Sequence, residues 1–173
     1  MLKLARILNN PKITSWLEDY LTSRRFFVSL GGACSEPADV LSWVPQGSVL
    51  GPLLFLIFIN DVEKFVGVDM RFYADDCILF SEVKNVNDQR LLNRALERLS
   101  EWCTTWQLPL NVGKCVQMTF SRKLSPLSFS YHINNNPLQS VSTYKYLGVI
   151  FSADLKWNLH VDSVVRKAYG KLR

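Results

Sequence analysis

The chain has no hydrophobic run long enough to cross a bilayer. Its longest, Val49 to Ile59, covers eleven residues and contains Gly51 and Pro52, whereas a spanning helix needs roughly 20 apolar residues. A buried helix is the reading that fits. Cysteine is sparse: Cys34, Cys77, Cys103 and Cys115 lie far apart, with no Cys-x-x-Cys pair and no His-x-Cys spacing. That argues against a zinc site and suits reduced, buried thiols in an intracellular protein of the nucleus or cytoplasm. Histidine is scarcer still, at His132 and His160 only. The start, Met1-Leu-Lys-Leu-Ala-Arg-Ile7, is broken by charges every third residue and lacks the apolar core of a signal peptide. Repeats, low-complexity tracts and linkers are absent from the sequence, and nothing in it marks a protein partner or a membrane anchor.

What is present is 173 residues, 48% of them hydrophobic, enough for one domain with a real core and too little for two large ones. Lys plus Arg number 20 against 15 Asp plus Glu, a formal charge of +5, which favours polyanions as partners.

Patterning gives the elements. Asn10-Pro11 caps an amphipathic helix that carries Ile13, Trp16, Leu17, Tyr20 and Leu21 on one face and ends near Ser23. Arg24 to Leu30 reads as a strand closed by Gly31-Gly32, followed by a polar loop from Ser35 to Asp39. Pro52 suits a first helical turn, so a helix is expected from there to about Asp61. Met70–Tyr73 and Cys77–Phe80 flank Ala74-Asp75-Asp76 as a hairpin would. A long helix with Leu92, Ala95, Leu96, Leu99, Trp102, Cys103 and Trp106 at three- and four-residue spacing runs from Asn87 and is stopped by Pro109. Strand-like stretches follow at 115–120, 127–133 and 144–151, with Asn134 to Pro137 as a turn and a final helix through Val161, Val164, Val165, Ala168 and Leu172. Helices and hairpins mix without βαβ alternation, so the fold class is α+β.

Tyr73-Ala74-Asp75-Asp76 carries the chemistry. Adjacent carboxylates at a hairpin tip repel each other unless a cation shares them, and Mg²⁺ takes oxygen ligands while keeping waters and substrate phosphates. Two such ions can stabilise the attacking and leaving oxygens of an in-line displacement, as nucleotidyl transfer requires. The bland alternative is a solvated turn, where Asp is common.

The string does not stand alone. Val44-Pro-Gln-Gly-Ser-Val-Leu-Gly-Pro-Leu-Leu-Phe-Leu-Ile-Phe-Ile-Asn-Asp61, then Phe72-Tyr-Ala-Asp-Asp-Cys-Ile-Leu-Phe80, Leu110-Asn-Val-Gly-Lys-Cys115, Tyr144-Lys-Tyr-Leu-Gly-Val149 and Trp157-Asn-Leu-His160 together resemble the blocks of reverse transcriptases of non-long-terminal-repeat, LINE-like retrotransposons. The resemblance covers nearly the whole chain. It implies a reverse-transcriptase palm, a small antiparallel sheet with the Asp75–Asp76 hairpin in its middle, backed by helices. A partial palm and a preceding helix would occupy 1–151 and the start of a thumb helix 152–173. It implies Mg²⁺ or Mn²⁺ on Asp75 and Asp76. Tyr73 and Ala74 would lie near the primer terminus, and Gln46, Gly47 and Ser48 beside the incoming nucleotide and templating base. Lys114 would meet the leaving pyrophosphate, and Leu147 and Gly148 would belong to a hairpin that grips the primer. Arg166, Lys167, Lys171 and Arg173 would line the thumb. The implied partners are an RNA template, a DNA primer and deoxynucleoside triphosphates.

The family's earlier block, a strand ending in a third metal-bridging aspartate, has no match before Gln46. Glu18 and Asp19 fall on a polar helix face, Glu36 and Asp39 in a loop, and Asp61 closes the second block. Fingers, first palm strand and most of the thumb are thus expected to be missing, leaving a fragment inactive by itself. A non-catalytic retrotransposon remnant with residual nucleic-acid binding stays open beside it. Ala74 and the Pro-Gln-Gly block argue against an RNA-templated RNA polymerase, and the paucity of histidine against a phosphatase or nuclease.

Overall fold

The computed structural model of the chain describes residues 2–40, 44–45, 47–123 and 128–172. It divides into two compact units, Met1–Glu63 with Arg71–Ile78, and Lys64–Met70 with Leu79–Arg173. Helices and short two-stranded ladders alternate through both, which is the α+β class that the patterning implies.

The first unit opens with helix α1 (Leu2–Leu8), which carries no cap or proline signal that would have announced it. Helix α2 (Pro11–Leu21) begins as expected: the Asn10 side chain accepts from the backbone N–H groups of Lys12 and Ile13, and Pro11 takes a first-turn position. The expected 24–30 strand is broken into β1 (Arg25–Phe26) and β2 (Ser29–Leu30), and the following segment supplies β3 (Ala33–Cys34) and β4 (Ala38–Asp39). β2 and β3 close over Gly31 and Gly32, both at positive φ, while β1 pairs with β4. Asp39, expected in a loop, therefore ends a strand opposite Arg25 and lies 3.3 Å from its guanidinium. Helix α3 (Leu50–Ile59) starts two residues before Pro52, whose missing N–H still falls in the first turn, where it has no helical partner. Leu4, Leu17 and Leu54 form the core of this unit, with Leu8, Tyr20, Leu21, Val44, Leu50 and Ile57 against them.

Lys3 joins α1 to α3. Its ammonium donates to the Phe58 carbonyl at 2.7 Å, near the end of α3 where backbone carbonyls lack helical donors, and reaches Asp61 at 2.6 Å. It also sits 4.9 Å from the Phe58 ring centre.

A short helix α4 (Val62–Val66) leads to the hairpin of β5 (Asp69–Tyr73) and β6 (Asp76–Phe80). Helix α5 (Val86–Thr105) begins with a reciprocal box: the Asn85 side chain accepts from Asn87 and Asp88 N–H, and Asp88 accepts from Asn85 N–H. It ends well before Pro109. Gln107 takes φ +54, its N–H donates to Thr104 and that of Leu108 to Cys103, a Schellman closure that satisfies the last carbonyls.

After a 3₁₀ turn at Val112–Lys114 come β7 (Val116–Gln117), β8 (His132–Ile133), β9 (Asn136–Pro137), β10 (Gln139–Ser140), β11 (Thr143–Tyr146) and β12 (Val149–Ser152), then helix α6 (Asn158–Lys171). The expected strand 115–120 thus shrinks to two residues, paired in parallel with β10. Part of the expected 127–133 strand lies outside the described residues. In what is described, the Gln117 side chain substitutes for a neighbouring strand, accepting from Tyr131 N–H and donating to the Phe129 carbonyl. Leu96 on α5 packs on Tyr131 and Ile133, and Ser100 bonds Asn134 in the β8–β9 turn.

The single small sheet expected around the hairpin is not formed by the described residues. Each strand has one partner, giving six two-stranded ladders, and β5 and β6 pair only with each other. Neither outer edge of that hairpin has a described strand beside it to extend the ladder. The cysteines also depart from expectation: none is in a disulfide, but only Cys103 is buried, and Cys34 is exposed. Among the described residues no helix is long and apolar enough to cross a membrane.

Candidate active site

The four residues singled out from sequence sit together at one hairpin tip. Tyr73 ends β5, Ala74 and Asp75 form the two-residue turn, and Asp76 begins β6. Ala74 takes φ +52, the left-handed region that a tight hairpin demands of its first turn residue. The pleat sorts the rest. Met70, Phe72, Cys77 and Leu79 turn inward, while Tyr73, Asp76, Ile78 and Phe80 fall on the more exposed face. Both aspartates are exposed, and Tyr73 is 64% exposed. At the base of the hairpin, Arg71 lies 3.5 Å from Glu63, bracing β5 against α4.

Gln46 lies outside the described residues. Gly47 and Ser48 belong to the same compact unit as the tip. Gly47 is exposed at φ +81 with open space where a Cβ would stand, so the turn, and no crowding, requires glycine there. The Ser48 hydroxyl is engaged locally: it donates to the Pro45 carbonyl at 2.7 Å and accepts from Gly51 N–H at 2.9 Å, tying the loop to the start of α3. The glycine that packing does require is Gly51, where a Cβ would meet Pro45 O and Ser48 Oγ at 3.1 Å.

Lys114, Leu147 and Gly148 belong to the second unit. Lys114 is exposed at the end of the 3₁₀ turn, its N–H donating to Asn111. Leu147 (φ +49) and Gly148 (φ +87) form the two-residue turn between β11 and β12, and both are exposed. On α6, Arg166, Lys167 and Lys171 are exposed; Arg173 lies outside the described residues.

Two exposed carboxylates with solvent in front of them fit one Mg²⁺, which keeps several of its waters. Among the described residues no group of three or more His, Cys, Asp or Glu side chains is placed to hold a metal. Asp61, Glu63 and Asp39 lie against Lys3, Arg71 and Arg25 respectively. Sequence reasoning missed the last two ion pairs and the Lys3 tie. Opposite charges recur too often along a chain for spacing to pair them.

The family model described as reverse transcriptase (RNA-dependent DNA polymerase) matches residues 3–151. This chain belongs to the reverse transcriptase family. Within it, the chain is similar to polymerases of non-long-terminal-repeat elements. It is 31% identical over 173 residues to the RNA-directed DNA polymerase from mobile element jockey of Drosophila funebris, covering 95% of this chain and 19% of that protein. It is 33% identical over 167 residues to the probable RNA-directed DNA polymerase from transposon BS of Drosophila melanogaster, covering 91% and 18%. The probable RNA-directed DNA polymerase from transposon X-element of the same fly is 30% identical, with 99% and 19% covered. This reverse transcriptase chain thus spans about one fifth of the length of the curated relatives it matches. No solved structure gives a significant match.

Proposed function

We propose that this chain is the palm portion of an RNA-directed DNA polymerase, with Asp75 and Asp76 holding divalent cations against a growing DNA strand. On this reading residues 1–151 are a partial palm with its preceding helix, and residues 152–173 are the start of a thumb helix. The observation that carries this reading is the hairpin tip: two adjacent, exposed carboxylates beside an exposed Tyr73, in one compact unit with Gly47 and Ser48, inside a match to the polymerase family.

Mg²⁺, when bound, supplies the positive charge that activates the primer hydroxyl and stabilises the leaving oxygen. Asp75 is the principal ligand and Asp76 its partner. Tyr73 and Ala74 border the primer end. Gln46, Gly47 and Ser48 lie along the incoming nucleotide and templating base, Ser48 holding the loop through Pro45 and Gly51. Lys114 neutralises or protonates the departing pyrophosphate. The Leu147–Gly148 turn meets the primer backbone, and Arg166, Lys167 and Lys171 offer salt-dependent phosphate contacts. RNA template, DNA primer and deoxynucleoside triphosphates are the substrates.

The chain by itself is inactive in this reading, because two cations held close together need a bridging carboxylate besides Asp75 and Asp76. Two measurements test it. Mn²⁺ titration should broaden the amide resonances of residues 73–76 selectively, and an Asp75→Asn, Asp76→Asn double variant should abolish this; uniform or unchanged broadening sinks the metal site. Primer extension by the purified chain should not rise above an Asp75→Ala, Asp76→Ala control, and metal-dependent incorporation above that control sinks the inactivity.

A further inference from the structure

We infer that His160 is a positioning residue which pins the β11–β12 hairpin to α6 and so fixes where the Leu147–Gly148 turn stands. This rests on the reading of that turn as a primer contact.

Ladder parity supplies the first step. β11 and β12 pair Tyr146 with Val149, Lys145 with Ile150, Tyr144 with Phe151 and Thr143 with Ser152. Just beyond, Ala153 N–H donates to the Ser142 carbonyl at 2.8 Å. In an antiparallel ladder bonded and non-bonded pairs alternate, so the bonded pairs are 142/153, 144/151 and 146/149. Ile150 therefore points its N–H away from β11, toward an open edge, where an unmet donor is costly once half-buried.

His160 meets that donor. Its Nδ1 lies 3.3 Å from Ile150 N as acceptor. A backbone N–H can only donate, so Nδ1 carries no proton and the ring proton sits on Nε2. The imidazole is held in place by an aromatic series in which Phe120 meets Phe151 edge-on at 6.5 Å, Phe151 tilts against Trp157 at 6.2 Å, and Trp157 stands edge-on to His160 at 6.3 Å. Trp157 directly precedes α6, and its carbonyl accepts from Val161 N–H. One imidazole thus couples the last helix to the strand that leads directly out of the turn. At the turn itself, Leu147 and Gly148 are exposed, and nothing lies within 4 Å of where a Gly148 Cβ would be.

The role requires an acceptor at the Nδ1 position, which the Asn side chain retains and Phe, of similar shape, does not. In the folded chain, imidazole ¹⁵N shifts should report the Nε2–H tautomer at His160. Amide exchange at Ile150 should quicken about tenfold in His160→Phe and stay within about threefold in His160→Asn, the range expected for loss of one net hydrogen bond. Fluorescence anisotropy with a DNA primer annealed to an RNA template should show about three- to tenfold weaker binding for His160→Phe, restored by His160→Asn. An Nδ1–H tautomer, or Asn and Phe variants equally impaired, overturns the inference by reducing His160 to ring packing. Weakened binding in Leu147→Ala with none in His160→Phe overturns it while leaving the primer reading intact. Unchanged binding in Leu147→Ala removes the primer reading itself, and the positioning role with it.

Discussion

Replacing Lys3 by Met isolates the contact that joins the two ends of the first unit's helical core. Methionine keeps the aliphatic stem and removes the charge, so packing against α3 is largely retained. The ammonium gives up a charge-assisted bond to the Phe58 carbonyl at 2.7 Å, a class of interaction contributing about 1.5–3 kcal/mol. Its position over the Phe58 ring contributes about 0.5–1 kcal/mol more. The ion pair with Asp61, whose side chain is 51% exposed, adds about 0–1 kcal/mol. Against these stands the desolvation of an ammonium that is only 10% exposed, which methionine avoids. The net expectation is a loss of about 2 kcal/mol, near thirtyfold in local opening. Because the chain comprises two units, one global midpoint is a poor measure. Hydrogen exchange separates them: amides of α1 and α3 should exchange about thirtyfold faster while those of α5 hold their protection. Asp61→Asn should change α3 by less than about 1 kcal/mol, since an amide oxygen still accepts and the Phe58 carbonyl keeps its donor. Less than a threefold change in α3 for Lys3→Met, or equal loss in α5, would refute the reasoning.

Other outcomes follow from the same geometry. Asn85→Ala removes the acceptor for Asn87 and Asp88 N–H and should cost about 1 kcal/mol, visible as faster exchange in the first turn of α5. The Asp154 carboxyl is held below its ordinary value of 3.8, first by the Ser152 hydroxyl at 2.6 Å and then by Lys156 N–H. A depressed carboxylate contributes order above its unfolded value and loses it as pH falls through the folded one. The Lys156 amide shift should therefore be flat above about pH 5 and move only below the ordinary carboxyl range, and Asp154→Ala should abolish that step. Ladders of only two strands among the described residues, together with exposed apolar residues such as Leu30, 83% exposed, predict concentration-dependent association. A clean monomer by size-exclusion chromatography across a wide concentration range would contradict this.

Legibility in the sequence tracked the range of the forces involved. The caps at Asn10 and the helical stripe from Leu92 to Trp106 are local, and they were read within a residue or two. So was the hairpin at Ala74–Asp75, because two short apolar strands around a polar pair leave few alternatives. Helix α1 escaped because its seven residues have no cap signal and are ordered by packing and by Lys3, whose partners lie 55 and 58 residues away. The sequence points to Pro109 as the stop of α5, but Gln107, two residues before it and in the left-handed region, closes the helix after Thr105, a conformation that a non-glycine residue does not advertise. Two-residue strands such as β7 carry too little alternation to be sized from pattern. Asp75 and Asp76 stand out in the sequence because adjacent carboxylates repel each other unless a cation shares them, and the fold places both at the hairpin tip. Ser48 and Gly51 show the converse: the hydroxyl serves the loop, and the glycine that steric contact requires is Gly51, four residues past the Gly47 to which the motif points.

The central claim is that Asp75 and Asp76 hold divalent metal, and diffraction from crystals soaked in Mn²⁺ tests it most directly. An anomalous peak roughly 2.0–2.3 Å from carboxylate oxygens of both aspartates, lost in the Asp75→Asn, Asp76→Asn variant, is the predicted result. Manganese peaks at other carboxylates with none at this hairpin tip would contradict it.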